Sequence, residues 1–149
     1  MLRRQEEHAR QRAQDLIADP GLAAPQDWLP VLRGRLAALA SPAGWPARAA
    51  ALARLRAAAD DAAGEIRAAY ERAIGLQDRR EELRGRFEAY RAKAIRLGYA
   101  EHPDALALDT CIRQLLWTRP CDLGAATRAL ATYQRLVQAA AGSGTGRSA

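Results

Sequence analysis

The chain has 149 residues and a net charge of +6, and it is rich in alanine, leucine, arginine and glutamate, which favour helices. Valine and threonine are scarce, and no segment alternates apolar with polar residues, so the composition argues against a β-sheet fold. No apolar run approaches the roughly 20 residues of a membrane span, and the polar start is unlike a signal peptide. We therefore expect an all-α cytoplasmic bacterial protein with no membrane span.

The first two predicted helices are short. Residues 2–18 carry apolar residues at helical spacing, and Pro20-Gly21 predicts the end of that helix. Asp27 is a suitable N-cap for a second helix, because its carboxylate can accept a backbone N–H of the first turn. That helix has a regular apolar stripe of Leu29, Leu32, Leu36 and Leu39.

The third predicted helix is by far the longest. Between Leu52 and Leu97 the apolar positions alternate three and four residues apart, and only Arg80 interrupts them. A heptad period held over so many turns predicts one helix of about 50 residues packed against other helices along a coiled-coil-like seam. We interpret Arg80 as a residue that sets the register of packing, although pairing with a partner carboxylate is the alternative.

Two further helices follow. Pro103 and Asp104 fit the first turn of a fourth helix that runs to about Trp117, and Asp122 can cap a fifth. The lengths predict two small antiparallel three-helix bundles that share the long helix. The expected divisions are an N-terminal half (1–75), a C-terminal bundle (76–141) and a flexible tail (142–149). A homodimer that uses the same seam is the alternative.

The sequence contains no recognisable catalytic constellation. His8 and His102 lie near opposite ends of the predicted long helix, and Cys111 and Cys121 lack the close spacing of zinc ligands. We expect Cys111 in the core of the fourth helix and Cys121 in the turn after it. No phosphate-binding glycine loop is present. The chain is therefore expected to be neither an enzyme nor a cofactor- or metal-binding protein.

Two residue types are candidates for binding another molecule. All three tryptophans lie beside prolines or helix ends, where they either anchor loops or act as exposed contact residues. Arginines occupy the heptad positions that flank the seam, where they either cover its edges or form a stripe for a phosphate backbone. The candidate interaction residues are Trp28, Trp45, Trp117, Arg79, Arg84, Arg86 and Arg91.

The most distinctive sequence segment begins at Asp78 and reads DRREELRGRFEAYRAKAIRLGYAEHPDAL, followed by LLWTRPCDL and ATRALATYQRLV. It resembles a segment of uncharacterised actinobacterial helical proteins, some of which are associated with signalling through Ser/Thr kinases and phosphopeptide-binding domains. The resemblance implies an accessory or adaptor role. We therefore predict a non-enzymatic module that binds another protein, with nonspecific nucleic-acid binding through the arginine stripe as the alternative.

Overall fold

The protein is all-α over residues 1–19, 21–41 and 44–145, which are the residues that the computed structural model describes. Its five helices are α1 (Leu2–Leu16), α2 (Leu29–Ala38), α3 (Trp45–Arg96), α4 (Pro103–Trp117) and α5 (Leu123–Thr145). The predicted fold class, the number of helices and the long third helix are confirmed. None of the helices, over these residues, is long and apolar enough to cross a membrane.

Local signals account for most helix ends. Gly98 adopts a positive φ of 66° after α3, a conformation that glycine accepts without steric cost. The carboxylate of Asp122 accepts the N–H of Ala125 at 2.8 Å, as predicted for the start of α5. The N-cap of α2 is Trp28 rather than Asp27, whose carboxylate accepts the N–H of Leu29 at 3.3 Å. Pro20, also predicted to help end the first helix, lies outside the described residues.

The chain divides into two compact units. Unit 1 comprises Met1–Gln11 and Gly21–Ala73, and unit 2 comprises Arg12–Pro20 and Ile74–Ala149. The predicted boundary after residue 75 is close to this division within α3, whereas residues 12–20 group with the C-terminal part of the chain. The predicted flexible tail overlaps the end of α5, and residues 146–149 lie outside the described residues.

Unit 2 has a core of large side chains. Phe87 of α3 is fully buried, and its ring lies 5.8 Å from that of Tyr133 and 6.1 Å from that of Trp117. Aromatic pairs at such separations stabilise a core beyond the area that they bury. The other large core residues come from α3, α4 and α5 and are Leu83, Ile112, Leu116, Leu130 and Val137.

The segment after α1 is joined to unit 2 by backbone hydrogen bonds. The N–H of Cys121 donates to the carbonyl of Leu16 at 2.8 Å, and the N–H of Ala18 donates to the carbonyl of Cys121 at 3.0 Å. These bonds form a single parallel bridge between Ile17 and Cys121. Because the bridge satisfies backbone groups next to a buried core, it explains why residues 12–20 belong to unit 2.

Cys121 lies in the turn between α4 and α5, as predicted, whereas Cys111 does not lie in the core. Cys111 is exposed, because the buried positions of α4 are Ala105, Ile112 and Leu116, and residue 111 precedes one of them by about 100° of helix rotation. Cys121 is buried in the core of unit 2. The expectation that Cys111 is a core residue is therefore wrong.

Arg80 is buried beside Cys121. It is 4% exposed, and its Nε has no hydrogen-bond partner among the described residues. Burial raises the pKa of the Cys121 thiol, and the positive charge of Arg80 opposes this rise. No carboxylate within the described part of the chain pairs with Arg80, and its role in setting the packing register stays a prediction.

Unit 1 has a core made mainly of alanine. Its buried residues are Ala9, Leu22, Ala51, Ala58, Ala62, Ala69 and Ala73, together with the carboxylate-bearing Glu6. Alanine brings helices close together but removes little apolar surface from water. Apart from Leu22, the larger apolar residues of this unit are half-buried or exposed.

Candidate interaction surface

The leucine-bearing face of α2 is an exposed apolar feature of unit 1. Leu29, Leu32 and Leu36 are spaced three and four residues apart, which places them on one side of the helix. No residue of α2 is buried, and Leu36 is 59% exposed. We call these three residues the leucine face. Its exposure distinguishes α2 from α4 and α5, which both direct apolar residues into the core of unit 2.

A cavity of about 180 Å³ opens at the start of the leucine face. Its walls come from α1, the loop before α2, α2 itself and α3. The apolar part of the lining includes Pro25, Trp28, Leu29, Leu32 and Ile66, and the polar part includes Arg3, Glu6, Glu7, Arg10 and Gln26. We call this space the unit 1 cavity.

Glu65 of α3 fixes the loop that forms one wall of the unit 1 cavity. Its Oε1 accepts the backbone N–H of Gln26 at 2.8 Å, and its Oε2 accepts the indole N–H of Trp28 at 2.6 Å. The two hydrogen bonds favour the ionised carboxylate and lower the pKa of Glu65 below its ordinary value of 4.5. Trp28 is thereby held in place at the cavity wall.

A second carboxylate lies in the wall that α1 provides. Glu6 is 2% exposed, and its Oε1 accepts a hydrogen bond from Nε of Arg10 at 3.1 Å. A buried carboxylate requires such a partner, because removal of its charge from water is costly. An ionised carboxylate can accept about four hydrogen bonds in all, so this single bond leaves acceptor capacity at the cavity.

The three tryptophans have different environments. Trp28 is half-buried and hydrogen-bonded to Glu65, which fits the predicted role of a loop anchor. Trp45 begins α3 and is 80% exposed, so it is not a core anchor. Trp117 ends α4 in unit 2, where its half-exposed ring packs its edge against Phe87. Trp28 and Trp45 both belong to unit 1, whereas Trp117 belongs to unit 2.

Arg84 binds the end of α4. Its Nε and Nη2 donate to the carbonyl of Leu116 at 3.2 and 2.9 Å, and its Nη1 lies 3.0 Å from a carboxylate oxygen of Glu81. The guanidinium carbon also lies 4.8 Å from the centre of the Trp117 ring. A cationic side chain at the C-terminus of a helix can donate hydrogen bonds to the free carbonyls of the last turn. Its positive charge also interacts favourably with the negative end of the helix dipole. Arg84 therefore has a structural role within unit 2.

The other three candidate arginines also have acceptors within unit 2. Arg79 and Arg86 pair with Glu82 at 2.7 and 3.7 Å, and Nε of Arg91 lies 3.0 Å from a carboxylate oxygen of Asp109 on α4. These contacts favour the interpretation that the arginines cover the edges of the seam. A phosphate backbone would have to compete with them.

Sequence reasoning missed Glu6 and Glu65, the two acidic residues of this surface. Glu65 contacts a loop that is distant in the chain, and Glu6 lies in the wall of the cavity that this loop helps to form. Helical periodicity does not predict such positions. Within the described residues, no three His, Cys, Asp or Glu side chains lie close enough together to hold a metal ion.

Comparison of the chain with protein-family models, with curated proteins and with solved structures finds no match.

Proposed function

We propose that this chain is a non-enzymatic interaction module that binds an amphipathic segment of another protein through the leucine face of α2. The observation that carries the proposal is that α2 buries none of its residues although it presents three leucines on one side. Amphipathic segments bind to such faces through apolar residues at helical spacing. The resemblance of residues 78 onward supports a further proposal, that the partner belongs to bacterial kinase-linked signalling.

The energetic argument rests on burial. A leucine that passes from full exposure to full burial contributes about 1.5–3 kcal/mol. In most protein interfaces a few residues account for most of the binding free energy. Leu36 retains most of its surface in the isolated chain, so a partner can gain much of this contribution there. Trp45 adds a large exposed aromatic residue to the same unit.

Nonspecific nucleic-acid binding is the weaker proposal. Arg79, Arg84, Arg86 and Arg91 all have acceptors in unit 2, and phosphate contacts would replace those interactions rather than add to them. Binding through phosphate contacts also falls steeply with salt, by orders of magnitude between about 50 and 200 mM when many contacts are made.

The test is affinity capture from a nuclease-treated native lysate with three forms of the chain: the unchanged protein, Leu36→Glu and Leu106→Glu. Leu106 is the matched control, because it is 49% exposed on α4 of unit 2. We expect a stoichiometric protein that binds the unchanged chain and the Leu106→Glu variant but not Leu36→Glu. Circular dichroism of both variants verifies that their helices are intact.

Binding of the identified partner is then measured with purified components by calorimetry. Loss of at least about 1.4 kcal/mol, a tenfold weakening, is expected for Leu36→Glu alone. Equal binding by the two variants would overturn the assignment to α2. Recovery of nucleic acid alone from an untreated lysate would favour the weaker proposal.

A further inference from the structure

We propose that the segment which binds the leucine face is an acidic helix, with glutamate or aspartate residues on both sides of its apolar positions. The inference rests on the proposed function, since it takes the partner to be an amphipathic segment of a protein. It adds the charge that this segment carries, and it follows from the side chains that border the leucine face.

The leucine face has the pattern of a coiled-coil seam. With Leu29 at heptad position a, Leu32 falls at d and Leu36 at the next a. At about 100° of rotation per residue, the three leucines lie within about 60° of the helix circumference, which is narrower than the apolar stripe of an ordinary surface helix. So narrow a stripe suits contact with one partner helix.

An arginine borders the leucine face on each side. Arg33 occupies heptad position e and Arg35 occupies position g, and both are exposed. Charged residues at e and g of a coiled coil form ion pairs with the facing helix, and these pairs decide which partner it accepts. The two arginines therefore favour a partner helix with carboxylates at the corresponding positions.

The charge of these arginines is not neutralised by neighbouring acids. Arg33 forms no ion pair with a carboxylate of the described residues. Nη1 of Arg35 donates to the backbone carbonyl of Arg54 at 2.9 Å, which leaves its positive charge in place. The sequence from residue 28 to residue 59 contains five arginines and no acidic residue. The first acid that follows on α3 is Asp60, about 9 Å along the helix from Arg54.

The acidic residues nearest to α2 in the chain and in its contacts lie at its start. Asp27 forms an ion pair with Arg3, and Glu65 accepts the indole N–H of Trp28. Leu36, the most exposed of the three leucines at 59%, lies about two turns further along α2. These carboxylates already have partners, so the arginines that border Leu36 keep their charge for an incoming segment.

Other occupants fit this arrangement less well. A second copy of the chain on the same face would place arginines opposite arginines, and like charges at an interface are unfavourable. An anionic membrane would satisfy the arginines, but a helix that lies on a membrane inserts a broad apolar face, and the stripe of α2 is narrow. An acidic amphipathic helix satisfies the leucines and the arginines together.

The experiment measures the binding of two synthetic peptides to the full chain by fluorescence anisotropy. Both peptides have three heptads with leucine at a and d, and they carry either glutamate or lysine at every e and g position. We expect the glutamate peptide to bind at least about tenfold more tightly than the lysine peptide in about 50 mM salt. The difference should shrink in about 500 mM salt, because salt screens exposed charges.

Three variants distinguish binding at the leucine face from general attraction to a basic protein. Leu36→Gln removes an exposed apolar contact without a change in charge and should weaken binding of the glutamate peptide about tenfold. Arg33→Glu should weaken it at least about fivefold. Arg67→Glu, an equal charge change at an exposed position of α3 in unit 1, should weaken it less than about twofold. Circular dichroism verifies that the helices of each variant are intact.

The inference and the proposed function fail in different ways. Two peptides that bind equally and both depend on Leu36 would overturn the acidic preference and leave the proposed function standing. Equal losses for Arg33→Glu and Arg67→Glu would also overturn the inference, as would a glutamate peptide that binds Leu36→Gln as tightly as the unchanged chain. Failure of the proposed function is read instead from the lysate capture, in which Leu36→Glu would retain the partner.

Vesicles test the membrane as the occupant. The chain is mixed with vesicles of phosphatidylglycerol and, as the uncharged control, of phosphatidylcholine. We expect no binding to phosphatidylglycerol that depends on Leu36. Binding to those vesicles that both Leu36→Gln and Arg33→Glu abolish, with no binding of the glutamate peptide, would assign the leucine face to anionic lipid and overturn the inference.

Discussion

The two units use similar apolar patterns but side chains of different size. Unit 2 fills the space between its helices with phenylalanine, tyrosine, leucine, isoleucine and valine. Unit 1 places alanine at most of its buried positions and leaves leucines of α2 exposed. Since stability follows the apolar area removed from water, unit 2 is the better stabilised of the two by its own core. The same helical periodicity thus accompanies a core in one region and an exposed apolar face in another.

The largest expected effect is the loss of the central ring of unit 2. Phe87→Ala should reduce the free energy of opening of unit 2 by about 3–5 kcal/mol, because it removes a fully buried ring and leaves a cavity. Amide hydrogen exchange in α4 and α5 measures this quantity locally.

Leu106→Ala provides the control for Phe87→Ala. Leu106 is exposed on α4, so the substitution should change the same free energy by less than about 0.5 kcal/mol. A loss below about 1 kcal/mol for Phe87→Ala would mean that unit 2 is no better packed than unit 1, and the comparison would fail.

A smaller effect is expected for the arginine that binds the end of α4. Arg84→Met removes the hydrogen bonds to the carbonyl of Leu116 but preserves an apolar stem beside Trp117. We expect a loss of about 1–2 kcal/mol in urea unfolding, since a charged donor is removed from a half-buried acceptor.

Arg79→Met is the matched control for Arg84→Met. Arg79 makes an exposed ion pair with Glu82, and such pairs contribute about 0–1 kcal/mol. Equal losses for the two variants would indicate that Arg84 acts only as surface charge. A larger loss for Arg84→Met would support its structural role.

The smallest expected effect is a local response of unit 1 to acid. The lowered pKa of Glu65 means that its contribution to stability is fully present above about pH 4.5 and is lost as the pH falls through the lowered value. The Trp28 indole signal should therefore change with acid in this range, because protonated Glu65 is a weaker acceptor. Glu65→Gln should remove this dependence.

The Trp117 indole signal serves as the reference in unit 2. Trp117 packs against the ring of Phe87 and the guanidinium group of Arg84, whereas Trp28 donates its indole N–H directly to a carboxylate. A parallel change of both tryptophan signals would show that acid acts on the whole chain, and the local role of Glu65 would be disproved.

The helices could be predicted because their signals are local. Proline and glycine mark several helix ends, Asp122 caps α5 as expected, and the heptad period predicts the long α3. The positions of single side chains were harder to predict. One residue of displacement along α4 decides whether Cys111 is buried or exposed, and the sequence pattern of that helix fits both possibilities.

The cavity could not be predicted, because its key contacts join distant parts of the chain. Glu65 lies next to Ile66 of the apolar stripe, yet its carboxylate binds a loop that precedes it by nearly 40 residues. The exposure of Trp45 could not be predicted from its neighbours in the sequence either, since it depends on which helix lies near the start of α3. The candidate arginines were identified by their heptad positions, but the acceptors that satisfy them come from α4 as well as α3.

The bridge between Ile17 and Cys121 also has a consequence for synthesis of the chain on the ribosome. The two residues of this bridge are about 100 positions apart in the chain, so loop closure makes it one of the last contacts expected to form. The segment after α1 leaves the ribosome early, but its backbone partner is made only after the whole of α3 and α4. Until then the carbonyl of Leu16 and the N–H of Ala18 lack the partner that Cys121 provides, so completion of unit 2 has to await nearly the entire chain.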